Sequence, residues 1–132
     1  MTEEQRARIL VTDDDSSIRT YVKELLTRQG YAVLLAEDGM QCLELARNEQ
    51  PDLILMDVFM PEMSGSLAAH RLAENVLTKD IPIIFLTSMI NKEQEMVVEN
   101  LDGSYVFLSK PIDNEKFLAE INRVLQDAAQ IP

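Results

Sequence analysis

A chain of 132 residues that is 46% apolar and 27% charged is long enough for one hydrophobic core and too apolar to remain disordered. Its 12 basic and 23 acidic side chains leave a net charge of −11, which disfavours direct nucleic-acid or anionic-lipid binding and suits bound cations or partners with basic faces. One cysteine, Cys42, excludes an internal disulfide and fits a cytoplasmic setting; Met1 to Arg8 is too polar for a signal peptide, and no apolar run reaches membrane-spanning length.

Residues 1–7 are a polar lead-in. Residues 8–126 carry the pattern of one domain, and residues 127–132 form a tail expected to fray. Arg8 to Thr12 predicts a first strand, stopped by Asp13-Asp14-Asp15. Asp15 or Ser16 can cap the helix that follows, whose stripe Ile18, Tyr21, Val22, Leu25 and Leu26 marks one buried face; Gly30 stops it. Tyr31 to Ala36 predicts a second strand. The turn Glu37-Asp38-Gly39 leads into a helix with Met40, Leu43 and Ala46 inward, ended by Gln50-Pro51.

Leu53 to Asp57 is an unbroken apolar run closed by one carboxylate, the mark of a strand buried on both faces of a parallel sheet. After Gly65, residues 66–77 predict a helix using Leu67, Ala69, Leu72, Ala73 and Val76. Ile81 to Thr87 is another buried strand, with Pro82 at its mouth. A loop over residues 88–91, a short helix over 92–101, a strand over 105–109 and a last helix capped by Asp113, with the stripe Phe117, Leu118, Ile121, Val124 and Leu125, complete the chain. Strand and helix alternate five times over. Short links favour one parallel sheet with right-handed crossovers and helices on both faces.

The strands end in Asp13-Asp14, Asp57, Thr87-Ser88 and Lys110. A parallel sheet brings its strand ends to one edge, so these groups can gather. Clustered carboxylates repel unless a cation intervenes, and an open, all-oxygen site favours Mg²⁺. Such a site can accept a phosphoryl group, and a carboxylate can be its nucleophile.

With these residues in place, the chain resembles a receiver domain of two-component response regulators, from Ile9 to about Leu125. The resemblance rests on Ile9-Leu10-Val11-Thr12-Asp13-Asp14-Asp15, on Asp57 with Met60-Pro61 and Gly65, on Thr87-Ser88, and on Phe107-Leu108-Ser109-Lys110-Pro111. It implies a flavodoxin-like (βα)5 fold with strand order 2-1-3-4-5. It makes Asp57 the phospho-acceptor, served by a sensor histidine kinase or a histidine phosphotransfer protein. Mg²⁺ would be held by Asp13, Asp14, Asp57 and the backbone carbonyl of Phe59. Thr87, the Ser88 N–H and Lys110 would contact the phosphoryl oxygens, and Lys110-Pro111 would be cis. Thr87 and Phe107 would form the switch toward a docking surface of helix 4, strand 5 and helix 5. The family is not one of enzymes; it promotes only its own aspartyl phosphorylation and dephosphorylation.

Relatives often carry Tyr where Phe107 stands, so a switch here works by packing alone. Phe59 and Met89 flank the site with apolar bulk and are expected to hinder hydrolysing water. His70 reads as a solvent-facing helix residue and Cys42 as a packing residue. No output domain is visible, which fits a regulator acting by docking, a relay that is monomeric or dimerises on phosphorylation, or a receiver excised from a longer protein. Two rivals stand beside this reading. A haloacid-dehalogenase-type phosphatase would use Asp13-x-Asp15 but leaves Asp57 without a role. A pseudo-receiver would bind partners without phosphorylation.

Overall fold

The computed structural model describes residues 6–90, 93, 95–100 and 103–129, without the side chains of 96–100, 103, 104 and 129. In chain order the elements are β1 (Arg8–Thr12), α1 (Ser16–Arg28), β2 (Ala32–Ala36), α2 (Gly39–Glu49), β3 (Leu53–Asp57), α3 (Gly65–Ala73), β4 (Ile83–Thr87), β5 (Met96–Asn100), β6 (Gly103–Ser109) and α4 (Asn114–Ala129). They build one sheet in the order β2-β1-β3-β4-β6-β5. The five parallel strands alone run 2-1-3-4-5, and β5 adds an antiparallel edge beside β6.

Alternation along each strand divides the core into two layers. Leu10, Ile54, Met56 and Phe85 face Cys42 and Ala46 of α2 and Ala68, Ala69 and Leu72 of α3. Ile9, Val11, Leu55, Ile84 and Leu86 face Val22 and Leu26 of α1 and Phe117 and Ile121 of α4. Each aliphatic side chain fully removed from water this way contributes about 1.5–3 kcal/mol. The runs at β1, β3 and β4 are buried because both layers cover them.

Caps fall where polar residues interrupt the apolar pattern. Asp15 accepts from the Ser17 N–H at 2.8 Å, Asp38 from the Gln41 N–H at 2.8 Å and Ser64 from the Leu67 N–H at 3.1 Å. Gly30, at φ +93°, closes α1, with its N–H on the Thr27 carbonyl at 3.0 Å.

The structure corrects the expected helix over residues 92–101. Met96–Asn100 is a strand, paired antiparallel with β6 so that Val97 meets Val106 and Asn100 meets Gly103. The physical reason is the β-branched pair Val97-Val98, which suits a pleated surface, beside a β6 edge with backbone groups to satisfy. Residues 91, 92, 94, 101 and 102 of that loop and helix lie outside the described residues.

Helix α3 also stops at Ala73, short of the expected residue 77. The Thr78 hydroxyl donates to the Leu72 carbonyl at 2.7 Å, and the Thr78 and Lys79 N–H groups close turns onto Asn75. Val76 is therefore 76% exposed instead of buried. Tyr21, Met40 and Leu67, read as inward, are likewise exposed, because each lies at the rim of its helix's covered stripe. At the other end α4 continues past Asp127 to Ala129, so the described part of the tail is helical.

Candidate functional site

Registers explain why distant residues meet. Thr12 pairs with Met56, Asp57 with Leu86, and Thr87 with Ser109, so the ends of β1, β3, β4 and β6 are level at one edge of the sheet. Asp13, Asp57 and Lys110 continue the strand positions that face α1 and α4, whereas Thr87 and Phe107 share the opposite face with Phe85.

Carboxylate oxygens of Asp13, Asp14 and Asp57 lie within 4.8 Å of one another. Lys110 reaches across the end of β4, placing Nζ 2.7 Å from Asp13 Oδ2 and 3.1 Å from Asp57 Oδ2. Burial alone would pull the Lys110 ammonium down. The hydrogen bonds and charges of Asp13 and Asp57 outweigh it and hold its pKa above the ordinary lysine value. Asp13 is buried, Asp57 half-buried and Asp14 exposed, so the cluster opens to solvent on one side.

Backbone groups hold the carboxylates in place. Asp13 Oδ1 accepts from the Asp15 N–H at 3.0 Å, and Asp57 Oδ1 accepts from the Phe59 N–H at 3.2 Å. The turn after β3 folds back so closely that the Gly65 N–H donates to the Val58 carbonyl at 2.8 Å. A Cβ at Gly65 would lie 2.2 Å from the Asp57 carbonyl oxygen, so only glycine fits without displacing backbone.

Thr87 is buried, and its Oγ1 accepts from the Met89 N–H at 3.1 Å; its carbonyl accepts from the Lys110 N–H at 2.9 Å. Ser88 is exposed and shares a groove with Ile18, Tyr21, Lys110, Pro111 and Ile112. The Lys110–Pro111 peptide is cis. Phe107 stacks on Phe85 with centroids 4.9 Å apart and planes at 19°, and Tyr105 meets Phe85 edge-on. Phe59 and Met89 are 58% and 67% exposed beside the cluster.

Three side chains at or beside the site escaped the sequence reading. The Arg19 guanidinium donates to the Asp13 carbonyl at 2.6 Å from the first turns of α1. Glu95 accepts from both the Ser109 N–H at 2.6 Å and the Ser109 hydroxyl at 2.9 Å, and pairs with Lys116 of α4. Arg19 and Lys116 lie on helices, and Glu95 precedes a strand that the sequence pattern reads as helix, so nothing in spacing or pattern marks them.

Chemically, three carboxylates against one ammonium leave two formal negative charges in a small space. Their donor set is all oxygen, which suits a hard divalent cation such as Mg²⁺ over a softer metal. Asp15, the second acid of the dehalogenase pattern, is spent on capping α1.

A family model described as the response regulator receiver domain matches residues 9–122. The chain is 38% identical to protein PilH of Pseudomonas aeruginosa over 119 residues, covering 90% of this chain and 98% of PilH. It is 36% identical to the DNA-binding dual master transcriptional regulator RpaA of Synechocystis sp., covering 95% of this chain but 52% of RpaA. Among solved structures, the chemotaxis protein CheY4 of Vibrio cholerae superposes with a TM-score of 0.77 at 31% identity, covering 90% of this chain and 98% of that one. The match spans every strand end of the acidic cluster and nearly the whole sheet, and the chain belongs to the response regulator receiver family of two-component signalling.

Proposed function

We propose that Asp57 is the phospho-acceptor of this receiver. A carboxylate oxygen of Asp57 attacks the phosphorus of a phosphohistidine on a sensor histidine kinase or a histidine phosphotransfer protein. The P–N bond breaks, its electron pair stays with the imidazole, and an aspartyl phosphate forms. Lys110 Nζ, the Thr87 hydroxyl and the Ser88 N–H take the phosphoryl oxygens. Asp13, Asp14, Asp57 and the Phe59 carbonyl are the groups that would hold Mg²⁺. When bound, the ion supplies positive charge against the transferring group. The observation that carries this reading is Lys110 bridging Asp13 and Asp57 while an Asp14 oxygen lies within 4.8 Å of both carboxylates.

The readout follows from placement. Thr87 and Phe107 share one face, and Phe107 rests on Phe85, so a Thr87 hydroxyl drawn toward the phosphate opens room for Phe107 to repack. The surface that responds is β5, β6 and α4, with β5 standing in place of the expected helix over residues 92–101. Phe59 and Met89 shield the acyl phosphate from water. An unchanged dephosphorylation rate in Phe59→Asn with Met89→Glu would remove that part of the reading.

Incubation with acetyl phosphate and Mg²⁺, followed by intact-mass measurement, tests the whole. The expected result is one acid-stable, base-labile phosphoryl group that Asp57→Asn abolishes and chelation of Mg²⁺ suppresses. A label that persists in Asp57→Asn overturns the assignment. Continuous phosphate release without a label supports a phosphatase, and no reaction with any donor supports a pseudo-receiver.

A further inference from the structure

The apolar and basic residues of α2 and α3 form a surface whose basic part lies away from the strand ends that carry Asp57. Each helix runs back from the strand ends that carry the acidic cluster, so the last turns of α2 and α3 lie toward the opposite edge of the sheet. There Arg47 and Arg71 line one open cleft of about 620 Å³ with Leu43, Leu72, Glu74 and Val76. Among the described residues neither guanidinium has a hydrogen-bond or ion-pair partner. Glu74, the acid in the cleft, lies 3.4 Å from His70 Nε2.

A cation in the last turn of each helix complements its dipole, and that accounts for one arginine per helix. It does not account for both lining the same apolar-walled cleft. Helical spacing extends the cleft into a stripe. Met40, Leu43 and Arg47 share a face of α2, and Leu67, Arg71 and Glu74 share a face of α3. Met40 is 61% and Leu67 41% exposed, and Val76 and Leu77 stand exposed beyond the arginines. The surface thus runs from apolar to basic over roughly 10 Å of helix, with further apolar side chains past the arginines. With two arginines against one glutamate, the lining of the cleft is opposite in sign to the chain's net charge of −11.

We infer that this α2–α3 surface docks an amphipathic helix of a partner protein. The partner's aliphatic side chains would lie on Met40, Leu43 and Leu67. Its Asp or Glu side chains, one to two turns on, would take the Arg47 and Arg71 forks. Charge complementarity selects an acidic helix, and apolar exposure beyond the arginines selects one over a small anion.

The test is a nitrogen-15 NMR titration of the full chain with a helix-stabilised peptide of about 14 residues, roughly 21 Å long. The peptide carries a Leu pair followed by a Glu pair; a second peptide replaces Glu with Lys. Shifts confined to α2 and α3, absent with the Lys peptide and about ten-fold or more weaker in Arg47→Glu/Arg71→Glu, are expected. That variant should melt somewhat lower, because each arginine complements its helix dipole, but stay folded and keep wild-type Asp57 labelling, which separates this surface from the phosphoryl site. Arg47→Gln/Arg71→Gln, without the reversed charge, should weaken peptide binding with a smaller change in melting. Shifts elsewhere on the molecule, no shifts, or equal binding of both peptides would overturn the inference. So would phosphate alone shifting Arg47 and Arg71 as strongly as the peptide, or sedimentation showing that a second copy of the chain fills the cleft.

Discussion

Lys110 Nζ lies 2.7 Å from Asp13 Oδ2, although 97 positions separate the two residues and β3 and β4 stand between their strands. Lys110 is therefore the counter-charge for carboxylates it could reach only through the fold. Lys110→Met should lower stability by roughly 1–3 kcal/mol, less than a fully buried pair because one side of the site is open. Urea unfolding measures this, and added Mg²⁺ should recover more stability in the variant than in wild type. The pKa of Lys110 is raised above the ordinary 10.5, so the pair's contribution is full below that pH and is lost as pH rises through the elevated value. Wild type and variant should converge in strong alkali.

Gly65→Ala places a methyl group 2.2 Å from the Asp57 carbonyl oxygen and 3.0 Å from Val58 Cα. Both are backbone atoms, so relief must move the turn that holds Asp57. A loss of about 1–3 kcal/mol or more in urea unfolding is expected, with slower Asp57 labelling alongside it. A variant with normal stability and normal labelling would show that the turn is looser than its geometry.

Glu95 ties the segment before β5 to β6 and α4 through Ser109 and Lys116. Burial raises the carboxyl's pKa, but the Lys116 and Ser109 hydrogen bonds outweigh it and hold it below the ordinary 4.5. The stabilisation is then present above pH 4.5 and lost as pH falls through the lower folded value. Glu95→Gln should melt earlier than wild type at neutral pH, and the gap should close in acid. Thermal melts across that range check the sign.

Cys42 is buried between the sheet and α2, and burial pushes its thiol up to about 11. With neither access nor thiolate, it should resist thiol reagents at pH 8 in the native state. Labelling should follow urea unfolding, with no fast native phase.

Much of the site was legible because chemistry punctuates apolar runs. Asp13, Asp57, Thr87 and Lys110 each end a strand, and the parallel sheet brings strand ends together. The stripes of α1 and α4 likewise named Val22, Leu26, Phe117 and Ile121 as core. A stripe gives the direction of a face but not how far the neighbour covers it. Tyr21, Met40 and Leu67 lie on predicted faces yet meet water. The segment around Met96–Asn100 was misread because its local pattern fits either helix or strand, and the deciding partner, β6, is non-local.

The sequence by itself determined the alternation, the two-faced burial of β1, β3 and β4, and the chemical types at the strand ends, because period and composition carry that information locally. Only the tertiary structure decided which groups touch: Lys110 with Asp13 and Asp57, Arg19 with the Asp13 carbonyl, and Glu95 with Ser109 and Lys116; it also set Arg47 and Arg71 on one cleft. Such contacts depend on register and on the packing of helices that are distant in sequence, and no local pattern encodes either.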